Sequence, residues 1–147
     1  MILFEEALEI IKKVAVPLPG ETVSLGKSAG RILFEDVFSD MDMPPFDKSA
    51  VDGYACRRAD LDTALRVLET IPAGKVPGKT IGVGECSKLM TGGMLPAGAD
   101  CVIMVEDVEI TGKDTIRFTG TKTALNYCKM AEDIRRGDKV LNKGTLI

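Results

Sequence analysis

The amino-acid sequence predicts a mainly β protein with one N-terminal helix, of the α+β class. Apolar residues recur at helical spacing near the N-terminus, whereas short apolar runs between glycine and proline turns fill the chain from Val51 onward. In addition, 45% of the 147 residues are apolar. The chain can therefore bury a core, and one ordinary domain or two small interlocked ones fit its length.

The N-terminal stretch Leu3–Val14 is predicted to form an amphipathic helix. Acidic residues occupy its first turn and lysines its last, which suits the helix dipole. Pro17 and the Pro19-Gly20 pair would end it. The residues of its apolar face are Leu3, Ala7, Ile10, Ile11 and Val14.

Strands are predicted for most of the remaining chain. Glu21–Leu25 alternates polar and apolar residues, as a half-buried strand does, and Arg57–Asp62 has room for a single helical turn. The apolar runs that predict strands are Val51–Cys56, Leu65–Ile71, Ile81–Val83, Cys86–Met90, Cys101–Val105, Val108–Ile110 and Thr115–Phe118. The last three are predicted to form a meander with a hairpin turn at Gly112-Lys113-Asp114. Two turn-then-strand units end the chain, and the apolar Leu146-Ile147 end predicts a truncation.

Composition excludes several classes of function. The net charge is −3 without a run of like charges, whereas nucleic-acid binding rests on a basic face. No apolar run reaches the ~20 residues of a membrane-spanning helix, and no signal peptide is recognisable. The absence of histidine excludes imidazole chemistry. Four cysteines without a C-x-x-C pair predict buried free thiols and a cytoplasmic location: Cys56, Cys86, Cys101 and Cys128.

The segment Met43–Ala55 is the first that can carry chemistry. Its two prolines stiffen the backbone, and Asp47 and Ser49 can hydrogen-bond to nearby N–H groups. Asp52 stands where the chain bends into a strand at Gly53, so its carboxylate can bind Mg²⁺ or take a proton. The alternative is a structural Asx turn, because Asp-Gly is a common turn pair.

Two further segments each allow a functional and a structural interpretation. Thr91, followed by Gly92 and Gly93, can form a backbone nest for a phosphate or oxyanion, or a tight turn between strands. In Ala131–Asp138, Asp133 and its acidic neighbour lie beside two arginines. That segment can anchor a metal–phosphate ligand or form a solvated charged turn.

Together and in this order, these segments resemble the N-terminal region of the MoeA family. This family comprises the molybdopterin molybdenumtransferases and includes the gephyrin E domain. The resemblance covers nearly the whole chain, and Pro44–Ala55 is its most specific string. The matching segments are Gly30-Arg31-Ile32-Leu33, Pro44–Ala55, Leu89–Gly93, Leu95–Val102 and Ala131–Gly144.

Some positions depart from the family pattern. Lys48 stands where the family usually has Asn, Val51 replaces Met, and Gly93-Met94 replaces Ala-Pro. Cys128–Ala131 replaces a segment that usually carries arginines and a glycine.

The resemblance implies an enzyme of molybdenum cofactor biosynthesis. Family members insert molybdate into adenylylated molybdopterin and release AMP, with a divalent cation such as Mg²⁺ involved. Their full chains add an α/β domain that holds pterin and molybdate, and a C-terminal β domain. By this resemblance the chain is an N-terminal fragment that supplies lid and dimer-interface residues and is inactive alone.

The resemblance also implies site residues. Asp52, Thr91 and Asp133 would be catalytic positions that line the cleft. Asp52 would position metal or substrate, Thr91 would donate a hydrogen bond to a phosphate or oxyanion, and Asp133 would position a ligand or hold the loop. The implied substrate-binding residues are Asp47, Ser49 and Gly92.

In fold and partners, the resemblance implies coiled or bifurcated β-sheets and two interleaved domains. Residues 39–130 would form a β-rich lid domain, inserted into an elongated first domain of residues 1–38 and 131–147. The full-length parent would be a homodimer, and a molybdopterin-adenylylating protein would be its pathway partner.

Two rival functions are compatible with the same sequence. The first is a non-catalytic interaction or scaffold module of the same family, because the gephyrin relatives act as scaffolds. The second is an unrelated β-rich domain that binds a small anion, which rests only on the Thr-Gly-Gly nest.

Overall fold

The computed structural model describes residues 2–16 and 18–147. Helix α1 spans Phe4–Val14, which confirms the predicted N-terminal helix. The Glu6 carboxylate accepts a hydrogen bond from the Leu3 N–H at 3.2 Å, so one of the unpaired N–H groups at the helix start is satisfied. Pro17, predicted to help end the helix, lies outside the described residues. Among the described residues, no helix has the length and apolar character needed to cross a bilayer.

Strands make up most of the regular structure, which confirms the predicted fold class. Three short 3-10 turns accompany them, at Leu25–Lys27, Arg58–Asp60 and Val105–Asp107. In chain order the strands are β1 Val37–Phe38, β2 Lys48–Ser49, β3 Gly53–Cys56, β4 Ala64–Ile71, β5 Glu85–Leu89, β6 Cys101–Met104, β7 Val108–Gly112, β8 Thr115–Phe118, β9 Tyr127–Cys128 and β10 Lys139–Leu141.

Six of these strands form one sheet in the order β6-β3-β5-β4-β8-β7. Only β4 and β5 pair in parallel. Strands β6 and β7 lie at opposite edges, yet the three residues Val105–Asp107 connect them. The four residue steps from Met104 to Val108 span at most about 14 Å, whereas six flat strands would separate the edges by about 24 Å. The sheet must therefore curl until its edges approach each other.

The predicted meander is correct for one of its two connections. Strands β7 and β8 form the expected antiparallel hairpin. Strand β6 does not pair with β7, because Cys101–Met104 lies directly against β3 instead. The β3 side chains Tyr54 and Cys56 share the inner cluster with Cys101 and Ile103 of β6, so burial of apolar surface supports the β3–β6 pairing.

Two predicted strands are wrong. Glu21–Leu25 has no ladder partner, and its last residue begins a 3-10 turn. Ile81–Val83 is also irregular, although Ile81 is only 4% exposed. The Ile81 N–H donates to the Ala97 carbonyl at 2.8 Å, so a loop rather than a sheet buries this apolar residue.

The curled sheet buries an apolar cluster on its inner face and a second one on its outer face. A row of three cysteines crosses the inner face, because Cys56 pairs with Cys86 on one side and with Cys101 on the other. All three are fully buried free thiols, as predicted, and the Sγ atoms of Cys56 and Cys101 are 3.7 Å apart. The prediction of burial is wrong for Cys128, which is half-buried on the short strand β9. The inner cluster comprises Tyr54, Cys56, Leu65, Cys86, Cys101, Ile103 and Ile116.

The chain divides into two compact units. The larger unit, Phe38–Lys139, contains the six-stranded sheet and the β2–β9 pair. The smaller unit comprises residues 1–37 and 140–147, so the larger one is inserted into it in sequence. Residues 131–139 lie in the larger unit. The domain boundaries predicted at 38/39 and 130/131 stay a prediction.

Candidate functional site

Asp52 and Thr91 lie at the same end of two paired strands. Asp52 immediately precedes β3, and Thr91 follows the end of β5 by two residues. Because β3 and β5 are antiparallel and Gly53 pairs with Leu89, the residues just outside the two strands become neighbours. The sheet therefore joins two positions that are 39 residues apart in sequence.

One carboxylate oxygen of Asp52 accepts two hydrogen bonds from Thr91. The Thr91 N–H donates to Oδ1 at 2.6 Å, and the Thr91 hydroxyl donates to the same atom at 2.7 Å. Both bonds hold the pKa of Asp52 below its ordinary value, and the backbone bond has the larger effect. The charge of Lys88 lowers this pKa further. Asp52 is therefore an exposed, ionised carboxylate fixed by a contact between strands, rather than the cap of a local Asx turn.

The glycine after Asp52 is required by packing. A Cβ at Gly53 would lie 2.1 Å from the carbonyl oxygen of Ile103 on β6. Gly53 is buried within the sheet and its φ is not positive, so its role is close approach between β3 and β6 rather than a turn. This close approach fixes the backbone from which Asp52 projects.

The three N–H groups of Thr91-Gly92-Gly93 already have acceptors. The Thr91 N–H bonds to Asp52, the Gly92 N–H to the Ser49 carbonyl at 2.8 Å, and the Gly93 N–H to the Met90 carbonyl at 2.8 Å. Gly92 has a φ of +81°, which suits glycine in a tight turn. A nest for an anion needs unoccupied N–H groups, so the geometry favours the tight-turn interpretation.

Ser49 and Asp47 tie the loop to its neighbours. The hydroxyl of Ser49 is buried and donates to the Val51 carbonyl at 2.6 Å, while its N–H donates to the Gly93 carbonyl. The Asp47 Oδ1 atom accepts a hydrogen bond from the Met130 N–H at 2.8 Å. Both side chains thus stabilise the loop that carries Asp52.

Asp133 contacts the first residue of the Met43–Ala55 loop, at the end away from Asp52. Its N–H donates to the Met43 carbonyl at 3.0 Å, and the carboxylate is exposed. Among the described residues, no hydrogen bond or ion pair links that carboxylate to Asp52 or Thr91. The structure therefore brings Asp52, Thr91, Ser49 and Gly92 together, and Asp133 joins them only through the loop backbone.

The described residues supply one free ligand atom for a divalent cation at Asp52. They contain no group of three or more acidic or cysteine side chains that could hold a metal ion. The second carboxylate oxygen of Asp52, Oδ2, has no partner among them. Mg²⁺ is commonly held by one or two carboxylates together with water and substrate phosphates. The site fits Mg²⁺ on those terms, with Asp52 as one ligand.

Lys88 also belongs to this site, although the sequence pattern did not predict it. It lies opposite Tyr54 in the β3–β5 ladder, and its Nζ is 5.9 Å from the centroid of the Tyr54 ring. Its charge acts on Asp52. The available signal is that Lys88 is the one charged residue in the predicted apolar strand Cys86–Met90.

Comparison with known proteins gives the same family from sequence and from structure. Residues 2–147 match the model of the MoeA N-terminal region, domains I and II. A molybdopterin molybdenumtransferase of Staphylococcus aureus strain Mu50 is 38% identical over 151 residues, and one of Staphylococcus epidermidis strain RP62A is 37% identical. A crystal structure of the molybdopterin biosynthesis moeA protein of Pyrococcus horikoshii OT3 superposes with a TM-score of 0.89 at 34% identity.

These matches span the whole chain but only part of each relative. The alignments to the two staphylococcal proteins cover 97% of this chain and 36% of theirs. The structural match covers 100% of this chain and 41% of the Pyrococcus protein. The chain thus corresponds to little more than a third of its curated relatives' length.

Proposed function

The chain belongs to the MoeA N-terminal region family, and from that membership we propose that its parent protein is a molybdopterin molybdenumtransferase that inserts molybdate into adenylylated molybdopterin. The observation that carries the proposal is the match of residues 2–147 to the family model, together with the name of the Staphylococcus aureus relative. The chain itself supplies lid and dimer-interface residues. It has little or no transferase activity alone.

We assign Asp52 the central role within this fragment. Its Oδ1 accepts both hydrogen bonds from Thr91, and its Oδ2, on an exposed residue, has no partner among the described residues. Its pKa is lowered from an ordinary value that already lies far below neutral pH, so the carboxylate is charged there. Oδ2 is thus the atom that would contact a cation or a substrate hydrogen-bond donor. When bound, Mg²⁺ would supply positive charge beside substrate phosphates.

Thr91 acts through Asp52. Both of its donors, the N–H and the hydroxyl, are hydrogen-bonded to Oδ1. A substrate phosphate could accept a hydrogen bond from the hydroxyl only if the hydroxyl gave up its bond to Asp52. We therefore propose Thr91 as a positioning residue, and the same kind of role for Asp47, Ser49 and Gly92, which hold the loop. Asp133 has an exposed carboxylate without a partner among the described residues. It is proposed to position a ligand at the far end of the loop.

The test is molybdate insertion by the full-length parent. Asp52→Asn keeps an oxygen acceptor for Thr91 but removes the charge. We expect insertion to fall roughly a hundredfold or more. Thr91→Val should cost about ten- to a hundredfold, as loss of a supporting hydrogen bond does, and Thr91→Ser should retain activity.

Asp114→Asn serves as the matched control, because Asp114 lies in the exposed hairpin turn between β7 and β8. It should leave insertion unchanged. Unchanged insertion by Asp52→Asn, measured beside this control, would remove Asp52 from the mechanism.

We propose that the full-length parent is a homodimer located in the cytoplasm. The apolar face of α1 supports association, because Phe4, Ile11 and Val14 are 75%, 62% and 70% exposed. Free thiols suit a reducing compartment. Its substrate must come from a reaction that transfers an adenylyl group, so a molybdopterin-adenylylating protein is the proposed partner. A monomer of the parent in multi-angle light scattering would contradict the dimer.

The exposed face of α1 also favours a second candidate, a non-catalytic interaction module. The two candidates differ in what the 147-residue chain does when it is added to a parent protein that lacks residues 1–147. Restored insertion favours the enzyme fragment. A saturable partner complex without any effect on insertion favours the interaction module.

A further inference from the structure

A cavity of about 360 Å³ lies at the end of the curled sheet away from Asp52. Arg58, in its wall, follows the end of β3, whereas Asp52 precedes the start of that strand. The four residues of β3 separate the two by more than about 13 Å. The cavity is thus distinct from the Asp52–Thr91 site. Its wall consists of Arg58, Leu61, Asp62, Arg117, Phe118, Gly120 and Thr121.

Two apolar side chains, Leu61 and Phe118, form part of the cavity wall. Leu61 and Phe118 are half-buried and pack against the inner core cluster. Gly120 lies directly against the Phe118 ring, since a Cβ at Gly120 would be 2.6 Å from the ring's Cζ atom. The ring is therefore in close contact with Gly120 as well as with the core cluster. Small-molecule sites combine apolar surface with a few placed polar groups, and this wall contains both.

Two guanidinium groups without acidic partners stand at the rim. Arg117 is on β8, and Arg58 opens the 3-10 turn Arg58–Asp60. Among the described residues, neither forms an ion pair within 4 Å. This holds although Glu109 is the register partner of Arg117 and Asp62 lines the same cavity. The neighbouring Arg66, by contrast, is paired with Glu85 at 2.6 Å.

The position of Arg58 is held by the backbone. Its N–H donates to the Asp100 Oδ1 atom at 2.6 Å, which fixes the main chain at the cavity rim. The ladder pair Ala64–Arg117 places β8 beside the start of β4. Two positive charges from separate elements therefore face one cavity with their main chains fixed.

We propose that this cavity binds a small phosphate monoester with an apolar or aromatic body. The volume lies in the range of about 300–1,000 Å³ typical of ligand sites. A phosphate group carries a charge of about −1.5 to −2 at neutral pH, and guanidinium groups bind it through paired hydrogen bonds. The apolar body would lie on Phe118 and Leu61. The Asp62 carboxylate and the Thr121 hydroxyl offer hydrogen bonds to a ligand hydroxyl.

The probe is phenyl phosphate, titrated into the ¹⁵N-labelled 147-residue chain and followed by NMR. We expect saturable shifts of the Arg58 and Arg117 Nε–H signals and of the Phe118 and Gly120 amides. Inorganic phosphate, which lacks the apolar body, should bind more weakly, and phenol, which lacks the charge, should not bind.

Substitutions of single arginines test whether phenyl phosphate binds in this cavity. Arg117→Gln and Arg58→Gln should each weaken phenyl phosphate binding at least about tenfold, the usual effect of losing a charge-assisted hydrogen bond. Arg66→Gln, which removes a nearby arginine already paired with Glu85, should leave the affinity unchanged. The spectrum of each variant reports whether it is folded, and either arginine variant alone suffices for the test.

Three results would overturn the proposal. The first is the absence of saturable shifts with phenyl phosphate. The second is equal weakening by Arg66→Gln and by the two cavity variants, which would indicate only diffuse attraction to basic side chains. The third is equal affinity for inorganic phosphate and phenyl phosphate, which would exclude a ligand with an apolar body.

Discussion

The two units of the chain use their apolar residues in opposite ways. In the larger unit, Phe38–Lys139, the sheet leaves no more than 2% of Leu65, Ile103 or Ile116 exposed. In the smaller unit, no described residue is buried, and α1 contributes none. The smaller unit nevertheless has ordered backbone pairing, such as the 2.8 Å hydrogen bond from the Leu33 N–H to the Thr145 carbonyl.

This difference shows that a segment can have an ordered, hydrogen-bonded backbone without burying apolar side chains in a core. A short segment can satisfy its hydrogen bonds locally, but most of the stability of helices comes from packing an apolar face. The α1 helix has that face, and none of its residues is buried by the described part of its unit. Among the described residues, the buried apolar surface that stabilises a fold is therefore concentrated in the larger unit.

The sharpest test of this contrast removes one apolar side chain from each unit. Leu65→Ala should lower the free energy of unfolding by about 2–5 kcal/mol, because Leu65 is 0% exposed and the change leaves a cavity. Ile11→Ala, at a side chain that is 62% exposed, should change it by no more than about 0.5 kcal/mol. Urea titrations followed by circular dichroism measure both. Similar losses would show that the smaller unit does have a core.

A second pair of variants adds one methyl group instead. Gly53→Ala should destabilise the larger unit by about 1–3 kcal/mol, because its Cβ would overlap the Ile103 carbonyl and push β3 from β6. Gly26→Ala in the smaller unit meets nothing within 4 Å and should be close to neutral. The same titrations apply. A neutral Gly53→Ala would mean that the two strands can separate without cost.

The smallest expected effect is the pH dependence contributed by Asp52. Because Thr91 lowers its pKa in the folded state, its contribution is present above the ordinary pKa near 3.8 and is lost as the pH falls through the lower folded value. Asp52→Asn should flatten the stability of the larger unit in that acidic range.

NMR titration of the carboxyl carbon measures this pKa directly. Thr91→Val should raise it toward the ordinary value, while Thr91→Ser keeps it low. An unshifted Asp52 in the unsubstituted chain would contradict the hydrogen-bonded geometry.

The sequence was most informative where the pattern is local. The helical spacing of Ile10, Ile11 and Val14 predicted α1, and apolar runs predicted β4, β5 and β8 within a few residues. The pattern failed for Ile81–Val83, because burial by a loop and burial by a sheet leave the same apolar signature. It also missed the two-residue strand β2, which is too short to show alternation.

Long-range pairing accounts for the error in the meander. The sequence placed β6 beside β7 because neighbouring strands commonly pair, whereas the inner core favours β3 as the neighbour of β6. The candidate site shows the same limit. Asp52 and Thr91 were predicted as site residues because both lie in segments that match the family's motifs. Their contact could not be predicted, because no spacing rule relates residues 39 positions apart. Their contact and the free Oδ2 became visible only with the strand register.

The row of buried cysteines gives the molecule a built-in reporter of its own opening. Burial raises the pKa of Cys86 to about 12, and the contact with Cys101 and burial raise that of Cys56, so neither forms the reactive thiolate at neutral pH in the closed sheet. Cys128 is only half-buried and should be alkylated first. The later alkylation of Cys56 and Cys86 measures the fraction of molecules whose sheet has opened. A thiol reagent and a mass spectrometer can therefore time that rare event without any added label.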